Sequence, residues 1–476
     1  MSFKIAFIGA GSIGFTRRLM RDLLSVPEFG DLEFAFMDIN ERNLDMVYQL
    51  VVKEAKANGS EKTSINKTTD QKEAVAGAKY IINCARVGGL DAFQYDIDIP
   101  LRYGVDQCVG DTICAGGVMY GQRGIPMILS LCKDIKAKAT EDARLLNYSN
   151  PNAMITWAAS HYGGVRTVGL CHGVQGGHQQ IAGVLGISPN ELDIVCAGIN
   201  HQTWYIKLQY KGQDMTGKVL EAFEDDPNLS EREKVRIDML RRFGYYSTES
   251  NGHLSEYLPW YRKRPEELDQ WISRDSWAGG ETGGYLRECT EKRNWFDEDF
   301  PVWLAEESVT YGPDIRSAEH GSFIIESLET GRVYRGHFNV VNSGTITNLP
   351  DDAIVEVPGY VDALGMNIPK VGDLPPGPAA VCGASISVQR LSVLAAVNGD
   401  DFLLRQAMMM DPLIGAVCNP PEIWQMVDEF LVAQERWLPQ YTESIASAKA
   451  RLARGLSVPV KEGYRGAARV ETKKRR

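Results

Sequence analysis

A cysteine and two histidines in the middle of the chain have the side chains needed to hold a divalent transition metal. Cys171 and His172 are adjacent and follow the short apolar stretch Val168-Gly169-Leu170, and His201 comes later in the chain. Thiolate and imidazole are soft-to-borderline ligands that suit such an ion. The pair is equally compatible with a cysteine in a core strand beside a histidine that binds a backbone group. The rest of the sequence must therefore decide between these interpretations.

The N-terminal residues carry the pattern of a dinucleotide-binding unit. A short apolar strand runs into Gly9-Ala10-Gly11-Ser12-Ile13-Gly14, and an amphipathic helix and a second apolar run ending at Asp38 follow. This order of elements predicts a Rossmann-type βαβ unit. We expect Gly9 to allow the tight turn, Gly11 to admit a pyrophosphate, and Gly14 to allow close packing. Asp38 can bind both ribose hydroxyls, which favours NAD over NADP.

Three polar residues are predicted to lie near the ligand-binding edge of the same sheet. Asn83 ends a buried strand and is a candidate cofactor contact, because ligands of doubly wound sheets lie at the carboxyl ends of the strands. Asn150 lies in a polar loop after another strand, and Asp111 lies in the glycine-flanked stretch 110–117. Both are candidate substrate contacts. A helix-capping turn at Asn150 and a surface turn at Asp111 are the alternatives.

Bulk properties narrow the class of protein. The 476 residues are enough for two or three domains, and the net charge of −11 argues against nucleic acid or an anionic membrane as a partner. No apolar run approaches a membrane span, the N-terminus lacks a signal-peptide pattern, and the nine cysteines are scattered. We expect a cytoplasmic α/β protein. Its parts would be an NAD-binding domain over 1–197, a mixed α+β domain for substrate, metal and oligomerisation over 198–460, and a disordered basic tail over 461–476.

Several motifs together resemble glycoside hydrolase family 4, the NAD-dependent glycosidases, over nearly the whole chain. Besides the N-terminal glycine motif, they are Val87-Gly88-Gly89-Leu90, Gly110-Asp111-Thr112, Asn150-Pro151-Asn152-Ala153-Met154, Cys171-His172-Gly173-Val174, Gly198-Ile199-Asn200-His201 and Asn342 to Pro350. This family departs from the usual two-carboxylate mechanism. The resemblance implies a lactate/malate dehydrogenase-like fold. It also implies hydride removal from C3 of the sugar by NAD, C2 deprotonation, elimination, water addition and hydride return.

The resemblance also implies roles for individual residues. Cys171 and His201 match the metal ligands, with manganese as the usual ion, and His172 matches the acid that assists the leaving group. An imidazole suits that role because it titrates near neutrality. Asn150 matches a substrate contact.

The resemblance also implies a base that removes the C2 proton, which is a tyrosine or an aspartate in the family. The relevant stretch, 245–257, does not fall in register with the family pattern. Tyr257 is our candidate, and Glu249 and Tyr246 are alternatives.

The residues after Leu170 sort substrates within the family, and Cys-His-Gly-Val resembles the α-galacturonidases most. A uronate needs a cation for its carboxylate, for which Arg287 and Arg86 are candidates. α-Glucuronidase and α-galactosidase activities are alternatives within the family. A 2-hydroxy-acid dehydrogenase and a non-catalytic NAD sensor are alternatives from other classes. We expect a homodimer or homotetramer.

Overall fold

The computed structural model describes residues 1–60, 62–291 and 295–460. Its centre is one twelve-stranded sheet with the order β3-β2-β1-β4-β5-β6-β10-β11-β7-β8-β9, and β12 pairs with β11. The strands are β1 Lys4–Ile8, β2 Glu33–Met37, β3 Ser64–Thr68, β4 Tyr80–Asn83, β5 Arg144–Asn147, β6 Arg166–Gly169, β7 Leu192–Ile199, β8 Gln202–Tyr210, β9 Gln213–Asp214, β10 Tyr334–Val341, β11 Ile354–Asp362 and β12 Gly365–Asn367.

Helices cover both faces of this sheet. They are α1 Ile13–Leu24, α2 Glu41–Ala57, α3 Gln71–Val75, α4 Gly89–Leu101, α5 Cys114–Lys138, α6 Asn152–Trp157, α7 Gly173–Val184, α8 Thr216–Asp225, α9 Leu229–Arg232, α10 Lys234–Phe243, α11 Asn251–Glu256, α12 Pro265–Trp271, α13 Gly284–Glu291, α14 Phe300–Ala305, α15 His320–Thr330, α16 Pro376–Asn398, α17 Asp401–Met410, α18 Pro412–Val417, α19 Pro420–Ala433 and α20 Thr442–Leu452.

The first six strands are parallel and form the doubly wound sheet that the sequence predicts. Their order, 3-2-1-4-5-6, is that of a dinucleotide-binding fold. The central strands β1 and β4 are almost wholly apolar because helices cover both of their faces. Their side chains enter two separate cores, Ala6 and Ile81 on one face of the sheet and Phe7 and Ile82 on the other. The predicted α/β fold class is confirmed.

The other half of the chain extends the same sheet with antiparallel strands. β10 pairs with β6 on one side and with β11 on the other, and the β7–β8 hairpin follows β11. The boundary predicted between residues 197 and 198 falls inside β7, so the sheet is continuous across it. The division into domains is still a prediction, and the predicted basic tail lies outside the described residues.

One helix, α16, is apolar and long enough to cross a membrane by length and composition alone. Half of its most apolar window is buried, and it packs against α5 and α17 within the larger core. Such a helix is also what the core of a large domain contains, so it is weak evidence for a membrane span. All nine cysteines lie among the described residues, and none of them forms a disulfide bond there.

Candidate functional site

The turn between β1 and α1, residues 9–14, forms a concave backbone surface that we call the cradle. Only glycine fits at positions 9 and 11, because neighbouring atoms occupy the space of a side chain. Gly9 has φ of 85°, and a Cβ there would lie 2.6 Å from the Cα of Ala85. The Gly11 amide donates to Asp38 Oδ2 at 2.8 Å, and a Cβ on Gly11 would lie 2.7 Å from the same oxygen. The backbone therefore has no side chain where a pyrophosphate would approach the helix N-terminus, and Asp38, the predicted ribose-binding acid, lies beside it. These residues fit a dinucleotide.

The remaining predicted cofactor residues lie around this cradle. Gly14 is in the first turn of α1, where a Cβ would approach the Trp295 ring to 3.1 Å. Asn83, at the end of β4, is fully buried, and its amide donates to Asn147 Oδ1 at 2.9 Å. The Asn83 side chain thus joins two neighbouring strand ends below the cradle.

Three ligand atoms from three separate connections converge at a second point. Cys171 lies between β6 and α7, His201 lies in the β7–β8 turn, and Glu249 precedes α11. The Cys171 Sγ is 3.2 Å from His201 Nε2 and 3.9 Å from Glu249 Oε1. All three ligand atoms lie within 4.8 Å of one another. Thiolate, imidazole and carboxylate in this arrangement fit a divalent transition ion.

The local electrostatics also suit a metal. Burial raises the pKa of the Cys171 thiol well above its usual value, and burial lowers the pKa of His201 to about 4. At neutral pH the imidazole is therefore neutral and able to donate an electron pair. His201 Nδ1 is buried without a hydrogen-bond partner among the described residues. A bound cation would offset the effect of burial and favour the thiolate, which is the form of cysteine that binds a metal.

A chain of polar contacts runs from Glu249 through His253 and Thr112 to Tyr257. His253 Nδ1 is 3.7 Å from Glu249 Oε2, and His253 Nε2 is 2.9 Å from Thr112 Oγ1. The Tyr257 hydroxyl donates to Thr112 Oγ1 at 3.0 Å and lies 3.5 Å from the carbonyl oxygen of Asn200. Tyr257 is buried, and burial raises the pKa of its phenol well above the usual value.

Asp111 joins the two predicted substrate loops. Asp111 Oδ1 accepts from Asn150 Nδ2 at 3.2 Å, and Asp111 Oδ2 accepts from Arg86 Nη2 at 2.8 Å. The Arg86 guanidinium also lies over the rings of Phe93 and Tyr120. Asn150 and Asp111 are thus brought together, as a shared substrate contact requires.

Comparison with known proteins decides the family. Residues 4–187 match the family 4 glycosyl hydrolases, and residues 196–414 match the C-terminal domain of the same family. The chain belongs to glycoside hydrolase family 4. The family resemblance seen in the sequence is therefore confirmed.

Named relatives of this family 4 enzyme differ in substrate. An α-galactosidase of Rhizobium meliloti is 57% identical, covering 99% of this chain and 96% of its own. An α-galactosidase of Bacillus subtilis is 33% identical, with coverage of 92% and 99%. An α-galacturonidase of Lachnoclostridium phytofermentans is 26% identical, with coverage of 92% and 97%.

Among solved structures, the 6-phospho-β-glucosidase of Thermotoga maritima has the same fold. It is 24% identical with a TM-score of 0.75, and the match covers 91% of this chain and 99% of that one. That structure was solved with manganese, NAD+ and glucose-6-phosphate.

Not every residue predicted for the family 4 site lies in the cluster of ligand atoms. His172 precedes α7 with 63% of its side chain exposed, and its Nδ1 is 4.0 Å from Glu319 Oε2. The Arg287 guanidinium is paired with Glu281. The Tyr246 hydroxyl donates to Gln180 Oε1 at 2.7 Å, and its ring stacks on Phe223 in a separate core.

Two site residues were not predicted in their observed positions. Sequence reasoning treated Glu249 only as an alternative base, and it passed over His253. The one available signal was Glu249-Ser250-Asn251-Gly252-His253, in which an acid and a histidine four apart can meet across a helical turn. That spacing is common on ordinary helices, so it gave no reason to place them beside Cys171.

Proposed function

We propose that this family 4 enzyme is an NAD- and manganese-dependent α-glycosidase that hydrolyses α-galactosides. The observation that carries the proposal is the pairing of Cys171 Sγ with His201 Nε2 at 3.2 Å. Cys171 follows β6 as Gly9 follows β1, and both strands belong to the parallel sheet. A metal ligand and a dinucleotide cradle therefore share the carboxyl edge, where one sugar can meet both.

The cofactor and the metal bring chemistry that side chains lack. When bound, NAD would supply hydride transfer to and from C3 of the sugar, and a divalent ion would supply Lewis acidity at the sugar hydroxyls. In the proposal Gly9 and Gly11 admit the pyrophosphate, and Asp38 binds the ribose. Cys171 and His201 hold the metal.

Two residues move protons in this proposal. Tyr257 takes the proton from C2 as its own hydroxyl proton passes to Thr112 and from there to His253, along the contact chain that leads to Glu249. His172 protonates the departing oxygen, because its exposed imidazole can reach a leaving group that extends toward solvent. Asn150 and Asp111, which are hydrogen-bonded to each other, bind the sugar.

The α-galactoside is preferred to the α-galacturonide for two reasons. The 57% and 33% identical relatives are named α-galactosidases. Both arginines suggested for a uronate carboxylate are already paired with carboxylates, Arg86 with Asp111 and Arg287 with Glu281. The galacturonide is the second candidate, because Arg86 beside Asp111 keeps 25% of its side chain exposed.

Release of nitrophenol from the nitrophenyl α-galactoside, α-galacturonide and α-glucuronide tests the proposal. Each assay contains NAD, manganese and a reductant, and each component is omitted in turn. Cleavage of the galactoside that stops without NAD or manganese supports the proposal. Preference for a uronide would replace the substrate, and net NADH formation without cleavage would indicate a dehydrogenase.

The route through C2 has its own test. Hydrolysis in D2O should place deuterium at C2 of the released sugar, whereas a two-carboxylate glycosidase leaves C2 untouched. A Tyr257→Phe variant should lose both hydrolysis and C2 exchange. If C2 exchange in that variant equals wild type, Tyr257 is not the base.

We also propose that the enzyme is a homo-oligomer. The exposed apolar side chains Phe402, Met409 and Met410 on α17 support this proposal. Light scattering of the purified chain, giving a dimer or tetramer mass, is the test.

A further inference from the structure

We propose that Glu249 is a third protein ligand of the metal, and that residue 173 is glycine because the Glu249 carboxylate occupies the space of a side chain there. The inference rests on the proposed function, in which Cys171 and His201 hold a divalent ion. It adds a residue to that site and gives a reason for the glycine in Cys-His-Gly-Val.

The position of the carboxylate is the first argument. Glu249 Oε1 lies 3.9 Å from Cys171 Sγ, and its ligand atom lies within 4.8 Å of those of Cys171 and His201. Only 17% of the Glu249 side chain is exposed. A buried carboxylate needs a cation or several donors, and one ion shared with Cys171 and His201 meets this need.

The partner on the other side of the carboxylate is the second argument. His253 Nδ1 lies 3.7 Å from Glu249 Oε2, while His253 Nε2 contacts Thr112 Oγ1 at 2.9 Å. One carboxylate oxygen therefore faces the sulfur and the other faces an imidazole that is itself anchored. Metal-binding side chains are commonly oriented by such an outer partner, which fixes the ligand before the metal arrives.

The backbone supplies the third argument. His201 and Glu249 both have positive φ, 63° and 76°, a backbone conformation that residues other than glycine rarely adopt. The segment before Glu249 is tied to the start of β8, because Thr248 N donates to Thr203 O at 2.8 Å and Thr203 N donates to Thr248 Oγ1 at 3.1 Å. Two ligand residues are thus held in unfavourable conformations by surrounding hydrogen bonds, as residues at functional sites often are.

Gly173 completes the case. Its backbone does not have the positive φ that favours glycine. A Cβ there would overlap Glu249 Oε1 and lie 3.0 Å from Glu249 Cδ. Gly173 N also donates to Cys171 Sγ at 3.4 Å from the first turn of α7, so the N-terminus of this helix, its positive end, lies beside the sulfur and the Glu249 carboxylate. Space for the carboxylate explains the glycine, whereas backbone conformation does not.

Metal binding is measured without turnover. Chelator-treated enzyme is titrated with Mn2+, and free Mn2+ is read by electron paramagnetic resonance. We expect Glu249→Gln to bind Mn2+ at least ~10-fold more weakly, since even outer partners of metal ligands change affinity by roughly 10–100-fold. Glu224→Gln removes the same charge from an exposed pair with Arg241 and should bind as wild type. NAD binding and thermal melting show whether each variant is folded.

Cobalt separates this inference from the proposed function. Co2+ bound to a thiolate gives a charge-transfer band that should persist in Glu249→Gln and vanish in Cys171→Ser. Unchanged Mn2+ affinity in Glu249→Gln, with loss in Cys171→Ser, would overturn the role of Glu249 and leave the metal site intact. Unchanged affinity in both would overturn the metal site itself. A role for Glu249 as the base predicts the first of these results.

A double-mutant cycle tests the role of Gly173. Gly173→Ala should weaken Mn2+ binding in the wild-type background, because the added methyl group displaces the carboxylate. In a Glu249→Ala background the same change should have little effect, since the space is then empty. Equal losses in the two backgrounds would overturn the explanation for the glycine.

Discussion

The dinucleotide cradle and the proposed metal cluster, made of Cys171, His201 and Glu249, lie at the same edge of the sheet but are built in opposite ways. The cradle comes from one contiguous motif, Gly9 to Gly14, with Asp38 at the end of the next strand. The metal cluster comes from the connections that carry Cys171, His201 and Glu249, two of which lie in the antiparallel half. A site made from one connection can be encoded locally, whereas a site made from three depends on the packing of the whole sheet.

The two regions also differ in the residue types that adopt a positive φ. At Gly9 a positive φ is adopted by the residue type that tolerates it. At His201 and Glu249 a positive φ is adopted by residues with side chains, so it must be maintained by tertiary contacts. We therefore expect changes in the cradle to affect folding and cofactor together, and changes in the cluster to affect metal and activity alone.

The largest effect is expected from Gly9→Ala. The methyl group would meet Ala85 at 2.6 Å in a left-handed conformation, so we expect a loss of about 3 kcal/mol in the free energy of unfolding, together with loss of NAD binding. Urea unfolding and NAD titration measure both. Gly30→Ala is the control, because a Cβ there meets no atom within 4 Å. If Gly9→Ala is as stable as wild type, the expectation that changes in the cradle affect folding is wrong.

Cys171→Ser is expected to have the next largest effect and a different character. Hydrolysis should fall at least ~100-fold, since the loss of a direct ligand should equal or exceed that of an outer partner. The melting temperature and NAD affinity should stay near wild type. Cys418→Ser, which changes a partly buried cysteine between α18 and α19, should keep full activity. If Cys171→Ser unfolds the chain, the cluster is structural as well as functional.

The contrast also explains what the sequence could predict. The cradle, Asp38 and the six parallel strands follow from local patterns, namely a glycine motif and apolar runs, and the fold class followed from them. Cys171 and His201 were assigned to the metal through the family resemblance, and this assignment is still a prediction. Glu249 was not assigned to the metal, because residues 171 and 249 meet only once β10 and β11 insert between β6 and β7.

Two helix boundaries in the structure also differ from those that the sequence predicts. Helix α5 begins at Cys114, although the glycines of 110–117 indicated a loop, because Gly116 and Gly117 pack where a Cβ would meet backbone atoms. The sequence predicts one helix over 422–453, but α19 ends at Ala433 and α20 begins at Thr442. Tertiary packing accounts for the first case, and in the second Pro439 lies in the break between the two helices, where it cannot continue a helix.

A buried acid in the antiparallel half gives a prediction on pH. Glu356 on β11 accepts from Asn200 at 3.3 Å, and burial raises its pKa to about 8 from an ordinary value of 4.5. Because the folded pKa is the higher one, its stabilising contribution is complete below pH 4.5 and is lost as pH rises toward 8. Relative to wild type, Glu356→Gln should gain about 2 kcal/mol in unfolding free energy between pH 6 and 8, at about 1.4 kcal/mol per pH unit. Urea unfolding of both proteins at pH 6 and pH 8 measures this gain. If the difference in unfolding free energy between Glu356→Gln and wild type is the same at the two pH values, the pKa of about 8 is wrong.

The smallest effect is expected at Asp38, where only one contact to the cofactor changes. Its carboxylate accepts from the amides of Gly11 and Asn40 at 2.8 and 2.9 Å, and an asparagine oxygen can still accept one of these bonds. We therefore expect Asp38→Asn to lose one of these bonds, with a cost of about 1 kcal/mol in the free energy of unfolding, and to bind NAD about 10-fold more weakly, or about 1.4 kcal/mol. The NADP affinity should fall less, because the negative charge that repels a 2′-phosphate is gone. Fluorescence titration with both cofactors measures the ratio, and Asp45→Asn on α2, an exposed partner of Lys67, is the control. An unchanged ratio of NAD to NADP affinity would mean that residues outside the cradle select the cofactor. Cofactor choice would then depend on distant packing, as the proposed metal cluster does.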